Sequence, residues 1–319
     1  MEGDRRKSEE FFGISFEDFE RQRDRRYGTA NPDPMDVPLW QVMIKHMVKP
    51  YFMKIGYDVD PSPEVPRPTW SFDRLGMSRT ELPDGRTVFI GGEYDAFYDP
   101  DFCIYNDVIV RDDDGNYKIY GYPKYDFPPT DFHTATYVEG LQIGSSSNNI
   151  IVIGGLGYPE DRIPGITNVF VLQVGNYGGT DYTMLPIETT GDNPGWIWDH
   201  QAILSPDGGS IIVVAGKVLD ANDNTVPMDD VFRLDLTTLV WERVGHLPAK
   251  ELFKPKIEDR QNIEMDVLRY AFGYQGTELT LTEKVMKQVM LQHEIEKGSS
   301  QYDEEMLAEL KQMLDELEE

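Results

Sequence analysis

Apolar and polar positions along this chain spell one phrase three times. Each copy opens on a short polar strand, passes through an apolar run that ends in glycine, crosses a loop and resumes at an Asp or Asn followed by aliphatic residues. The first copy runs from Ser78-Arg79-Thr80 through Thr87-Val88-Phe89-Ile90-Gly91-Gly92 to Asp107-Val108-Ile109-Val110. The second runs from His133-Thr134-Ala135-Thr136 through Ile150-Ile151-Val152-Ile153-Gly154-Gly155 to Asn168-Val169-Phe170-Val171-Leu172. The third runs from His200-Gln201-Ala202 through Ile211-Ile212-Val213-Val214-Ala215-Gly216 to Asp230-Val231-Phe232-Arg233-Leu234-Asp235. Gly92, Gly155 and Gly216 are 63 and 61 residues apart, while Asp107, Asn168 and Asp230 are 61 and 62 apart. Two landmarks hold one period, so the copies are repeats of one supersecondary unit. Short apolar runs bounded by turn signals predict buried strands. Asp84-Gly85, Asp112-Asp113-Asp114-Gly115-Asn116 and Pro206-Asp207-Gly208-Gly209 supply turns between them.

Helical spacing replaces this pattern at both ends. Phe12, Phe16 and Phe19 share one face of a short predicted helix, with Ser15-Phe16-Glu17-Asp18 as a capping tetrad. After a break at Asn31-Pro32-Asp33-Pro34, the spacing of Trp40, Met43, Ile44, Met47, Val48 and Tyr51 predicts a single helix docked on the repeats. Pro61 to Pro68 reads as an extended linker, and Trp70-Ser71-Phe72-Asp73 as the outer strand of an incomplete unit able to pair with the third. Beyond Trp241 the strand pattern fades. Residues 283–296 and 304–318 read as helices, the second striped with Met306, Leu307, Leu310, Met313, Leu314 and Leu317. The expected organisation is a helical extension and Pro-rich linker over 1–68, a β-repeat domain over 69–246, and an acidic helical extension over 247–319, capping a sheet edge or pairing with another subunit.

The repeats resemble the kelch motif, in which a hydrophobic strand ends in Gly-Gly and a later strand leads into an aromatic residue. The third copy carries most of it, closing on Leu239-Val240-Trp241-Glu242, with Ala215 in place of the first Gly. The first two have Tyr117-Lys118-Ile119-Tyr120 and Tyr182-Thr183-Met184-Leu185 where the Trp would stand. Phe127-Pro128-Pro129-Thr130-Asp131-Phe132-His133 and Gly157-Tyr158-Pro159-Glu160-Asp161-Arg162 are similar to a group of bacterial and fungal kelch proteins of the galactose oxidase-like fold superfamily. The resemblance covers roughly residues 70–245. It implies a mainly β fold, a kelch-type β-propeller in which each unit is one four-stranded antiparallel blade. Three recognisable units are fewer than known rings use, so it also implies an incomplete or irregularly closed ring, or one completed by a second copy as a homodimer.

Charge narrows the partners. The 57 Asp and Glu outnumber 30 Lys and Arg, for a formal net charge of −27. Such a surface repels phosphate backbones and anionic lipids, so no nucleic acid and no membrane partner is expected, and a basic protein or peptide is the complementary one. A single cysteine, Cys103, leaves no intramolecular disulfide. The start, Met1-Glu2-Gly3-Asp4-Arg5-Arg6-Lys7, lacks the apolar stretch of a secretory leader. No run reaches the roughly 18 apolar residues a membrane helix needs, and a cytoplasmic location is expected.

Galactose oxidase-like enzymes hold copper between tyrosines and histidines, with one tyrosine crosslinked to cysteine. This chain has five histidines, none paired at ligand spacing, and Cys103 within Phe102-Cys103-Ile104-Tyr105 reads as a core residue, so neither metal nor cofactor is expected. Asp220-Ala221-Asn222-Asp223-Asn224 begins like a calcium loop but has Thr225 and Val231 where Gly and Glu belong.

Two sets of residues are candidates for function. His133 and His200 stand at matching opening positions, where the first copy offers Arg79, with Asp131 and Asp199 beside them. They read either as a catalytic Arg/His/Asp group at a channel mouth or as polar contacts joining neighbouring blades; recurrence favours the second. The long loops following the glycines carry Tyr94, Tyr98, Asp99, Tyr158, Glu160, Asp161 and Arg162, a mixture suited to a ligand unless the loops pack on one another. The expected function is a non-catalytic protein- or peptide-binding module using the loop face. The alternative is an enzyme acting on a sugar-like or small carbonyl ligand at the channel mouth through Arg79, Asp131 and His133.

Overall fold

Helix-forming stretches at the start of the chain are cut by their own caps and prolines. The computed structural model describes residues 2–59, 67–96, 99–143, 146–175 and 182–246, so the two expected C-terminal helices lie outside the described residues. Two compact units emerge, one within 1–20 and 42–61, the other within 21–41 and 62–254. In the first, α1 (Glu2–Phe12) stops at Gly13, and α2 (Phe16–Gln22) starts where Ser15 Oγ accepts the Asp18 N–H at 3.1 Å. Phe12 therefore lies on one helix and Phe16 and Phe19 on the next, not all three on one. The Phe19 and Tyr57 rings stack at 4.4 Å, and the Tyr57 hydroxyl donates to the Ile14 carbonyl at 2.8 Å. The single helix expected from Trp40 to Tyr51 is two, α3 (Pro38–His46) and α4 (Pro50–Gly56). Met47 turns left-handed at φ 51°, and Pro50, with no N–H to continue a ladder, begins a new helix.

The second unit holds the repeats. A short β1 (Asp33–Pro34) precedes them. The first copy forms β2 (Ser78–Glu81), β3 (Thr87–Ile90), a hairpin of β4 (Glu93–Ala96) and β5 (Asp99–Ile104), then β6 (Val108–Arg111) and β7 (Tyr117–Gly121). The second forms β8 (Thr134–Ile143), β9 (Ser146–Ile153), β10 (Val169–Gln173) and β11 (Met184–Pro186). Next come β12 (Thr190–Gly191) and β13 (Ile197–Trp198), followed by the third copy: β14 (Gln201–Leu204), β15 (Ser210–Val214), the hairpin β16 (Lys217–Leu219)–β17 (Thr225–Pro227), β18 (Asp230–Asp235) and β19 (Val240–His246). Among the described residues four sheets have three or more strands: β1-β7-β6-β3-β2, β11-β10-β9-β8, β12-β19-β18-β15-β14 and β13-β16-β17. The first three share one antiparallel four-strand plan and are blades 1, 2 and 3 of a mainly β, β-propeller arrangement.

Blades 1 and 2 bury the forward face of their aliphatic runs against the next blade. Val88, Ile90, Val108 and Val110 of blade 1 meet Ile150, Val152, Phe170 and Leu172 of blade 2. Ile151, Ile153, Val169 and Val171 of blade 2 meet Ile211, Val213, Phe232 and Leu234 of blade 3. Burying one such side chain contributes roughly 1.5–3 kcal/mol, so these rows hold the unit together. The backward face of blade 1 is covered differently from the expectation, because Trp70-Ser71-Phe72-Asp73 is not an outer strand of a further unit. Phe72 meets Phe89 and Tyr117 edge-on at 5.3 and 5.8 Å, and Trp70 stacks on Trp40 at 5.0 Å. The Trp70 indole donates to Asp107 Oδ2 at 2.9 Å, and the Arg74 guanidinium clamps the same carboxylate, which draws the segment inward as a lid.

Backbone hydrogen bonds stitch the blades at their centre. The Gly92 N–H donates to the Thr130 carbonyl and the Gly155 N–H to that of Ile197, both at 2.8 Å. A Cβ at Gly91 would lie 2.3 Å from the Thr130 oxygen, and one at Gly154 2.4 Å from the Ile197 oxygen, so only glycine fits. A second rung links Phe132 N–H to the Gly76 carbonyl and Asp199 N–H to the Phe132 carbonyl, each at 2.8 Å. Gly76, Phe132 and Asp199 all sit left-handed, at φ 60°, 52° and 56°.

Candidate functional site

The residues opening each blade face its neighbour. Strand register pairs Ser78 with Ile90, Thr134 with Ile153 and Gln201 with Val214, so Met77, and not Arg79, is the counterpart of His133 and His200. Both imidazoles are buried. His133 Nε2 lies 2.8 Å from Ser78 Oγ of blade 1, and His200 Nε2 lies 2.9 Å from Thr134 Oγ1 of blade 2. Burial pushes His133 down to about 4; burial and the nearby His133 push His200 down to about 3. Two neutral histidines thus make the same contact across successive junctions. Arg79 is exposed and ion-paired with Glu81 at 2.7 Å, while exposed Asp199 pairs with Lys217 at 3.0 Å. The expected Arg/His/Asp group is therefore dispersed.

Asp131 alone of that group remains in a chemically unusual setting. Its side chain is fully buried, and Oδ1 accepts the Gly157 N–H at 2.8 Å. Among the described residues no N–H and no hydroxyl donor reaches Oδ2. The Asp131 carboxyl instead meets that of Glu93, a half-buried residue of the blade 1 hairpin, and two acids can hydrogen-bond only while one keeps its proton. Burial, then the Asp131 charge and hydrogen bond and the Asp95 charge, push Glu93 up to about 7. Burial raises Asp131 as well, against the opposing effect of the Gly157 N–H.

The equivalent place at the next junction is apolar. Glu93 exchanges backbone hydrogen bonds with Leu75, the Leu156 N–H donates to the Asp131 carbonyl, and Lys217 pairs with Trp198. Glu93, Leu156 and Lys217 are thus counterparts, as are Leu75, Asp131 and Trp198. Where blade 1 sets Glu93 against Asp131, blade 2 packs Leu156 into a cluster with Trp196, Trp198 and Leu219. Glu93 was missing from the candidates read in the sequence. The available signal was its place directly after Gly91-Gly92, where the second copy has an aliphatic residue.

The loop residues largely pack on one another. Tyr94 is buried, Tyr98 lies outside the described residues, and Asp99 opens β5 with its side chain outside them. The Tyr158 hydroxyl accepts the Ile104 N–H at 2.8 Å and its ring meets Phe102 edge-on at 6.1 Å, tying the second loop to the first. Lys124 lies 3.0 Å from Asp161 and 3.8 Å from Glu160, and Arg162 donates to the Leu156 and Gly157 carbonyls at 3.1 and 2.8 Å. Cys103 is buried, which raises its thiol. Among the described residues no three His, Cys, Asp or Glu side chains converge as metal ligands would. No helix among them is long and apolar enough to cross a membrane.

No protein family matches the chain, and no curated protein does. Among solved structures it is similar to YjhT, at 13% identity and a TM-score of 0.36 over 59% of this chain and 54% of that one. It is also similar to MPT-4, a mannose phosphorylase from Leishmania mexicana in complex with phosphate ion, at 13% identity and 0.32 over 59% and 56%. The chain therefore spans little more than half the length of either, and likeness this distant transfers neither residues nor activity.

Proposed function

We propose that this protein is an acid–base enzyme for a small hydroxyl- or carbonyl-bearing ligand, with Glu93 as the proton-exchanging group. The carboxyl pair carries this reading, since the same junction one blade on is filled with Leu and Trp. The fold does not need two acids there, and a buried acid pair is costly to keep without a use. Asp131 positions Glu93 and holds it near neutrality, where one group serves as base and then as acid with equal ease. An isomerisation, in which Glu93 removes a proton and returns it elsewhere on the same ligand, balances with no cofactor. We further infer that the blades are of the kelch type, from the Gly pairs closing β3 and β9 and Trp241 buried on the last strand.

Solvent-proton exchange tests the assignment. Sugars and small hydroxy-carbonyl compounds are incubated with the protein in D2O and followed by NMR. Deuterium uptake should switch on as pH rises through about 7, vanish in Glu93→Gln and change its midpoint in Asp131→Asn. Uptake unaffected by Glu93→Gln, or none from any compound, rejects the reading. A second reading keeps the loop face as a binding surface for a basic peptide, favoured by exposed Phe102, Ile163 and Ile166 beside exposed Glu160. Loss of peptide capture in Phe102→Ala, with Glu93→Gln unaffected, would support it.

A further inference from the structure

The forward face of blade 3 repeats a surface that is buried twice elsewhere in the chain. Strand register makes Ile212 the counterpart of Val88 and Ile151, Val214 of Ile90 and Ile153, and Val231 follows Asp230 as Val108 follows Asp107. The blade 1 and blade 2 members of these sets are buried against the next blade. On blade 3 Val214 is buried, but Ile212 and Val231 are only half-buried, and Ile203, Val240 and Val244 are 55%, 40% and 46% exposed. Ile203 is also an isoleucine where Thr80 and Thr136 stand in the earlier copies. An apolar sheet face of this kind marks an interface.

We propose that this face binds the same face of a second copy of the chain, around a two-fold axis. Head-to-tail stacking is blocked, because the backward face of blade 1 is already covered by Phe72 and Trp70, which leaves like-on-like pairing. Charge also favours a second copy here. Two chains of net charge −27 repel across most of their surfaces, but on β18 and β19 acids and bases are matched. Arg233 pairs with Glu242 at 2.5 Å and Arg243 with Asp230 at 3.0 Å. Arg233 and Glu242 share the forward face with Ile203 and Ile212, so a two-fold axis lets each Arg233 reach the partner's Glu242.

Sedimentation velocity and light scattering of the full chain test this. The wild-type protein should run at twice 36.6 kDa, and Val244→Glu and Ile203→Asp should run as monomers with unchanged far-UV circular dichroism. Because apolar-to-acid changes can unfold a sheet, exposed Arg233→Glu provides a gentler variant. It should weaken the dimer, and Arg233→Glu with Glu242→Arg should restore it. A wild-type monomer, which would mean that residues after His246 or another protein cover the face, overturns the proposal. So does a dimer that survives every one of these variants.

Discussion

Protonating His133 or His200 would place a charge inside a blade junction, so the two rings set how the fold meets acid. Their folded values, about 4 and about 3, lie below the ordinary 6.5. As pH falls below 6.5 the unfolded chain takes up protons that the folded chain refuses, and stability declines through that window. Glu93 has the opposite sign: raised from 4.5 to about 7, it keeps in the folded state a proton that the unfolded chain releases, so stability declines as pH rises across that interval. Glu93→Gln should therefore leave urea stability at pH 4 nearly unchanged and increase it at pH 8; a decrease at pH 8 would contradict the pair. His200→Gln should flatten the acid limb. Both histidines were legible in the sequence as joints between blades because a histidine opens two successive copies, although Arg79, read with them, is out of register and Met77 takes its place. Glu93 was not, because its partner belongs to another blade about 40 residues on and becomes a neighbour only when two blades stack.

At the level of elements, one position in the repeat separates two kinds of junction. Gly91 and Gly154 face a carbonyl of the following blade, whereas Ala215 takes the same left-handed turn at φ 58° with a Cβ in place. Gly154→Ala should cost about 1–3 kcal/mol for overpacking, with about 1–2 more for a left-handed alanine. Ala215→Gly should be neutral or stabilising, and thermal melts of the two variants distinguish them. Strand runs and turns were readable because both rest on local chemistry: β-branched residues for the runs, Asp-Gly pairs for the turns. The expected continuous helix failed for an equally local reason, since the helical spacing of Trp40 to Tyr51 passes over Pro50. Ser15 was correctly read as a cap, and Ser15→Ala should cost about 1 kcal/mol, visible as earlier amide exchange in α2.

Across the whole molecule, 57 acids against 30 bases load the folded chain with like charge. Added salt, which shortens the screening length to about 8 Å at physiological strength, should raise the melting temperature; a melting point that falls between low and physiological salt would show that specific ion pairs outweigh the repulsion. The propeller was legible at this scale because periodicity survives variation in any single residue. The lid on blade 1 was not, since Trp70 and Phe72 belong to no repeat, Trp70 being held by Asp107 and Phe72 by the Phe89 and Tyr117 rings. The central backbone rungs run both ways: Phe132 reaches back to Gly76 and Asp199 back to Phe132, whereas Gly92 and Gly155 donate forward to Thr130 and Ile197. In the glycine rungs the donor precedes the acceptor, and in the other rungs the acceptor precedes the donor. During synthesis, the segment that opens each new blade therefore both gives a backbone bond to the preceding blade and receives one from it, so blades can dock in the order in which they are translated.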